Sequence, residues 1–126
     1  MAKSAGSRIL LVDDDILQRE MLTELLTVAG FSLHQASCGT DALSVLAQHK
    51  FDAVITDVQM PNMDGVTFLV EMRQRNYTIP VIITSSSEMY EKPAMEAGAS
   101  FFVLKPSSAQ RYAELLRLVL DKSYRN

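Results

Sequence analysis

The sequence predicts an α/β domain: a parallel sheet of five strands with helices on both faces. Two observations carry this. Short apolar runs recur along the chain, each closed by acidic, hydroxyl or lysine punctuation, as buried strands are. Between them lie stretches with apolar residues at helical spacing, so strand and helix alternate five times. Such alternation implies parallel pairing with the helices packed on either side.

The whole chain sets bounds. Its 126 residues form one domain, 1–126, large enough to bury a core without disulfides or a structural metal. A formal net charge of −3 gives no reason to expect affinity for nucleic acid or membrane. Cys38 is the single cysteine, which excludes an internal disulfide and fits a reducing compartment. Residues 1–7 are small and polar, with no apolar core following the charge; they read as a frayed leader rather than a signal peptide. No apolar run approaches the ~18 residues that span a bilayer. A cytoplasmic location is expected.

The elements follow in order. Arg8–Val12 is a buried strand that ends in Asp13, Asp14 and Asp15. The next helix carries Leu17, Met21, Leu25 and Val28 on one face, with Arg19 and Glu20 away from it, and Gly30 stops it. Residues 31–36 form a weaker second strand. Thr40 caps a helix that runs through His49, with Ala42, Leu43 and Leu46 inward. The third strand, Ala53-Val54-Ile55, leads through a polar step to Asp57, and a Pro-Asn-x-Asp-Gly turn closes it. A third helix spans Gly65 to about Arg75, with Phe68, Leu69 and Met72 inward. The fourth strand begins at Pro80 and runs into the hydroxyls Thr84, Ser85, Ser86 and Ser87. Pro93 suits a first turn, so the fourth helix is short, from about Glu91 to Ala97, ending at Gly98. Phe101–Leu104 is the fifth strand, followed by Lys105-Pro106. Ser107 and Gln110 have capping-box spacing for a last helix with Tyr112, Leu115, Leu116 and Val119 on one stripe. Leu118 and Leu120 lie off it.

A flavodoxin-like strand order, 2-1-3-4-5, is the leading topology, because strands one and three then flank the switch point. It brings Asp13, Asp14 and Asp57 to one sheet edge, and Lys105 and the hydroxyls to the same end. Like charges ~4 Å apart repel by about 4 kcal/mol at an effective dielectric near 20. Such a cluster persists if one acid holds a raised pKa or a cation neutralises it. The donors are all oxygen, which favours a hard ion such as Mg²⁺. Lys105 is a point charge able to meet a phosphoryl oxygen. A carboxylate nucleophile, a hard cation, an amine and a hydroxyl are the parts for phosphoryl transfer to an aspartate.

With these residues in place, the sequence resembles a receiver domain of the two-component response-regulator family. The matching pieces are V-D-D-D at Val12–Asp15, D-V-Q-M-P-N-M-D-G at Asp57–Gly65, the hydroxyl after strand four, A-G-A at Ala97–Ala99 and K-P at Lys105–Pro106. They span the chain from Arg8 to about Lys122. Each piece is common alone; all of them in order at strand ends are specific. The resemblance implies that Asp57 accepts a phosphoryl group from the phosphohistidine of a sensor histidine kinase or histidine phosphotransfer protein. It implies Mg²⁺ held by the side chains of Asp14 and Asp57 and the backbone carbonyl of Gln59, with Asp13 acting through water. Lys105 then pairs with Asp57 at rest and with the phosphoryl group afterwards. A hydroxyl and an aromatic on strand five move inward as a switch, and Phe102 matches the aromatic position. Phosphorylation biases a surface formed by the fourth helix, fifth strand and fifth helix, which is also a candidate homodimer face, toward an unknown downstream protein.

Strand parity favours Ser85 over Thr84 as the hydroxyl; its competing role is a cap with Glu88 three residues on. Gln59, beside the phosphoryl site, either shields it from water or is an exposed loop residue. Ser107 stands where the family commonly has Phe. Asp15 and Asp64 read as helix caps, and Asp52 as surface. Cys38, His34 and His49 have no partners at ligand spacing. Three other functions compete. An aspartyl phosphatase of the haloacid dehalogenase type needs a second Asp where Gln59 stands. A mononucleotide binder needs a phosphate-cradling loop where the three acids stand. A degenerate, docking-only receiver would not need the intact acids and Lys105. The expectation is a phosphoacceptor rather than an enzyme that turns over an external substrate.

Overall fold

The apolar runs pair through their backbones into one sheet. In the computed structural model, which describes residues 6–121, the chain order begins with β1 (Arg8–Val12), α1 (Ile16–Val28), β2 (Ser32–Ala36), α2 (Gly39–Gln48) and β3 (Ala53–Asp57). It continues with α3 (Gly65–Gln74), β4 (Val81–Ser85), a 3₁₀ turn (Glu88–Tyr90), α4 (Glu91–Glu96), β5 (Phe101–Leu104) and α5 (Ala109–Leu120). The strands lie in the order β2-β1-β3-β4-β5 and every pair is parallel. This is the predicted flavodoxin-like arrangement, with β1 and β3 adjacent at the switch point.

Because side chains alternate along a strand, each strand serves two cores. Leu10, Val12, Val54, Val81 and Ile83 pack against α2 and α3 through Leu43, Leu46, Phe68 and Met72. Ile9, Leu11, Ile55, Ile82 and Val103 pack against Leu26 of α1 and Tyr112, Leu115 and Leu116 of α5. Burial on both sides leaves β3 with no exposed residue, so Asp57 stands at the end of a rigid central strand.

Helix α1 corrects the sequence reading. The row Leu17, Met21, Leu25 and Val28 faces solvent; Leu17 is 75% and Val28 84% exposed, while Leu26 is fully buried. Two apolar rows at helical spacing run side by side here, and Leu22 and Leu26 form the one that meets the sheet. Arg19 accounts for the choice. It lies on the Leu22–Leu26 side and donates to Gln35 Oε1 at 2.8 Å and to the Asp13 carbonyl at 2.6 Å, bonds available only if that side faces the sheet.

The caps also shift. Asp15 and Asp64 cap α1 and α3 through their side chains, as expected. Helix α2 begins after Cys38 without a side-chain cap bond, so Thr40 lies inside it. Ser108, not Ser107, caps α5 by accepting from the Arg111 amide, so no Ser-Gln capping box forms. Leu120 is buried, although it lies off the expected stripe. Gly30 ends α1 with φ +106°, a conformation that favours glycine. Of the expected leader, residues 1–5 lie outside the described residues. Gly6 and Ser7 are tied down: the Gly6 amide donates to the Gly30 carbonyl at 2.9 Å, and the Ser7 carbonyl accepts from the Ser32 amide at 2.8 Å.

Candidate functional site

Strand β1 delivers Asp13 and Asp14, β3 delivers Asp57, and the segment after β5 delivers Lys105. Carboxylate oxygens of Asp13, Asp14 and Asp57 lie within 4.8 Å of one another. Asp13 and Asp57 are 6% and 7% exposed, whereas Asp14 is open to solvent. The loop after β3 fits closely beneath them. The Gly65 amide donates to the Val58 carbonyl at 2.8 Å, and a Cβ on Gly65 would collide with the Asp57 carbonyl. The Pro-Asn-x-Asp-Gly turn therefore needs glycine at its end.

Lys105 joins the acids. Its Nζ donates to Asp57 Oδ2 at 3.0 Å and to Gln18 Oε1 at 3.1 Å, and lies 3.5 Å from Asp13 Oδ2. The three protons of an ammonium thus have three acceptors. Burial works against the charged amine, but the hydrogen bond and attraction of Asp57, and then the charge of Asp13, outweigh it and hold its pKa above the usual lysine value. Burial raises the Asp13 carboxyl above the ordinary range. The Asp15 amide, which donates to Asp13 Oδ1 at 2.9 Å, and Lys105 pull it part of the way back. On Asp57, Oδ1 faces the Gln59 amide at a long 3.4 Å.

Three carboxylates thus face one ammonium. The excess negative charge and the all-oxygen donor set fit a hard divalent cation. Asp13, Asp14 and Asp57 are the side chains that would hold it, and the Gln59 backbone lies next to Asp57.

The hydroxyls divide between the two faces. Thr84 is the register partner of Asp57; its Oγ1 donates to the Val103 carbonyl at 3.0 Å and lies 2.8 Å from the Tyr112 hydroxyl. Ser85 is fully buried, and its Oγ accepts from the Ser87 amide at 3.1 Å. The capping role falls to Ser87, whose Oγ accepts from Met89, not to a Ser85–Glu88 pair. By strand alternation Ser85 shares its face with Ile83 and Phe102. Phe102 is half-buried against that core, and Phe101 packs on the other one. Ser86 donates to Gln59 Oε1 at 3.1 Å, a bridge between the end of β4 and the loop after β3.

Four contributors escaped the sequence reading: Gln18, Arg19, Ser86 and Tyr112. Only Tyr112 left a signal, as the one polar-tipped side chain on the apolar stripe of α5. The His34 and His49 rings lie 5.6 Å apart and tilted by 39°, with His34 edge-on to Phe51, away from the acids.

Comparison with known proteins agrees with this geometry. Residues 9–117 match the response regulator receiver domain. The chain is 33% identical over 118 residues to the response regulator MprA of Mycobacterium sp. strain KMS, covering 92% of this chain and 51% of that protein. It is 35% identical over 116 residues to the sensor histidine kinase RcsC of Escherichia coli, covering 90% of this chain and 12% of the kinase. The chain therefore spans about half or less of these relatives. Among solved structures, the chemotaxis response regulator CheY4 of Vibrio cholerae superposes with a TM-score of 0.84 at 28% identity, covering 91% of this chain and 99% of that one. The response regulator TrrA of Thermotoga maritima, in complex with Mg²⁺–BeF, gives 0.83 at 27%, covering 90% and 98%. With five parallel strands in this order and the acids and lysine at one edge, the chain belongs to the response regulator receiver domain family.

Proposed function

We propose that this receiver domain is a phosphoacceptor switch and that Asp57 is the residue modified. The observation that carries the reading is the convergence of Asp13, Asp14 and Asp57 on one point, with Lys105 bonded to Asp57 at 3.0 Å. An Asp57 carboxylate oxygen attacks the phosphorus of a donor phosphohistidine, the P–N bond breaks, and the imidazole nitrogen keeps the electron pair. Asp13, Asp14, Asp57 and the Gln59 carbonyl would hold Mg²⁺, which when bound would neutralise the oxygens around that centre. Lys105 holds Asp57 in place beforehand and meets the charge that develops on the phosphoryl group. Gln59, tied to Ser86, partly covers the site and slows attack by water on the product.

The switch follows from the second face. Ser85 turns from the Ser87 amide toward the new oxygens, and Phe102 fills the space beneath. The surface of α4, β5 and α5, with exposed Met95, Leu104 and Leu118, then changes its affinity for a downstream protein or a second copy. The donor, a sensor histidine kinase or histidine phosphotransfer protein, docks on the apolar row that starts at Leu17 beside the site and runs through Met21 and Leu25 toward Val28, an exposed stripe of the kind that marks interaction surfaces. The reaction is stoichiometric acceptance in the cytoplasm, without turnover of an external substrate. Among the described residues no helix is long and apolar enough to cross a membrane.

The test is labelling by acetyl phosphate. One phosphoryl group per chain is expected, only with magnesium, none in Asp57→Asn and far less in Lys105→Ala. A chain that takes no label is a docking module. Sustained hydrolysis of generic phosphate esters would favour a phosphatase.

A further inference from the structure

Helix α5 puts a single tyrosine into its contact with the sheet. Tyr112 is buried in the cluster that holds Ile82, Val103 and Leu116, and its hydroxyl meets Thr84 Oγ1 at 2.8 Å, which in turn meets the Val103 carbonyl at 3.0 Å. A threonine hydroxyl carries one proton and the carbonyl can only accept. Tyr112 therefore donates to Thr84, and Thr84 to Val103. The bonds run in one direction, from α5 through β4 to β5. Phe and Val would fill these positions with nearly the same shape and no polar group to satisfy, so packing does not account for the hydroxyls.

Their location does. Thr84 is paired in register with both Asp57 and Val103, so it stands beside Asp57 on the same side of the sheet. Val103 lies two residues before Lys105, on the same side of its strand. Asp13, Thr84, Lys105 and Tyr112 line one cleft of about 400 Å³ between α1 and α5. Lysine places its charge on a flexible four-carbon stem, so meeting Asp57 at 3.0 Å depends on where the end of β5, bonded through Val103 to Thr84, is held.

We propose that Thr84 and Tyr112 are positioning residues for Lys105: their bonded hydroxyls lock α5 and the end of β5 at the height where the ammonium meets Asp57. The geometric claim stands alone. Its kinetic consequence, faster phosphoryl acceptance, rests on the phosphoacceptor reading.

The experiment uses Thr84→Val, Tyr112→Phe and the double variant. Removing both hydroxyls strands neither on the other and leaves only the Val103 carbonyl short of its donor, so the double variant is expected to lose no more in urea midpoint than Thr84→Val alone. In each background the coupling between Asp57→Asn and Lys105→Met is measured by a double-mutant cycle of urea unfolding. It is expected to fall to about half or less when the hydroxyls are gone. No coupling in the parent, or equal coupling in both backgrounds, overturns the proposal. In parallel, magnesium-dependent labelling by acetyl phosphate is expected to slow about five-fold or more in the double variant, measured without urea where it is fully folded. A rate within about two-fold of the parent overturns the kinetic consequence. If the parent takes no label, the phosphoacceptor reading fails, and the coupling cycle alone decides the positioning claim.

Discussion

The two faces of the sheet meet at Asp57 and are built differently. On the α1/α5 side, Lys105 is held by two buried carboxylates, and a pair of bonded hydroxyls lines the same cleft. On the α2/α3/α4 side, Ser85 and Phe102 adjoin an aliphatic and aromatic core. The first arrangement is fixed by charge and directed hydrogen bonds, which strengthen one another where water is excluded. The second is fixed by packing around a short helix, α4, and a half-buried ring. A site that must hold a nucleophile still while passing on a signal benefits from this division. On the phosphoacceptor reading proposed above, the charged face would hold the nucleophile and the packed face would carry the change.

The largest test of the division sets the faces against each other. Lys105→Met should slow labelling by acetyl phosphate on the order of 10²-fold, the usual loss when a charge-stabilising group is removed. Ser85→Ala should leave the rate within about ten-fold of the parent while abolishing the change in the Phe102 ring on modification, followed by NMR shifts. Equal rate losses in the two variants would mean that the faces do not divide the work.

Stability should separate the two rows of α1. Leu26→Ala opens a cavity in the α1/α5 core and should cost about 3 kcal/mol in urea unfolding. Leu17→Ala removes an exposed side chain and should cost less than about 0.5 kcal/mol.

That contrast also shows what the sequence makes legible. Strand order and the site acids are readable because a buried parallel strand is an unbroken apolar run, and chemistry collects at its carboxyl end. The face of α1 is not readable, because Leu17–Val28 and Leu22–Leu26 have the same period; Arg19, whose partners are Gln35 and the Asp13 carbonyl, settles it only in three dimensions. The α5 cap moved by one residue because Ser107 and Ser108 are chemically equal candidates. The Thr84–Tyr112 bond spans 28 residues, and no local pattern encodes a contact at that separation.

A smaller effect probes the join between the faces. Gly65→Ala drives a Cβ into the Asp57 carbonyl, and relief requires the end of β3 to move. A loss of about 2 kcal/mol is expected, together with slower labelling, because Asp57 shifts relative to both faces. Retention of full stability would mean that the loop after β3 yields without disturbing the strand.

The mildest prediction concerns alkaline pH and bears on the charged face alone. Burial raises the Tyr112 pKa, and the attraction of Asp57 and Asp13 outweighs burial to raise that of Lys105. Each group therefore binds its proton more tightly in the folded chain. Their contribution to stability is fully present below the ordinary values, about 10 for tyrosine and 10.4 for lysine. It is lost as pH rises through the folded values, because the unfolded chain gives up its protons first and the native state then binds more protons than the unfolded one. Stability should fall above about pH 10, by up to about 1.4 kcal/mol per pH unit for each such group. Tyr112→Phe should flatten that slope without altering the profile below about pH 9, as measured by urea unfolding at stepped pH. If the slope is unchanged in Tyr112→Phe and vanishes in Lys105→Met, the alkaline loss belongs to the amine, and the tyrosine serves the charged face only as a hydrogen-bond donor.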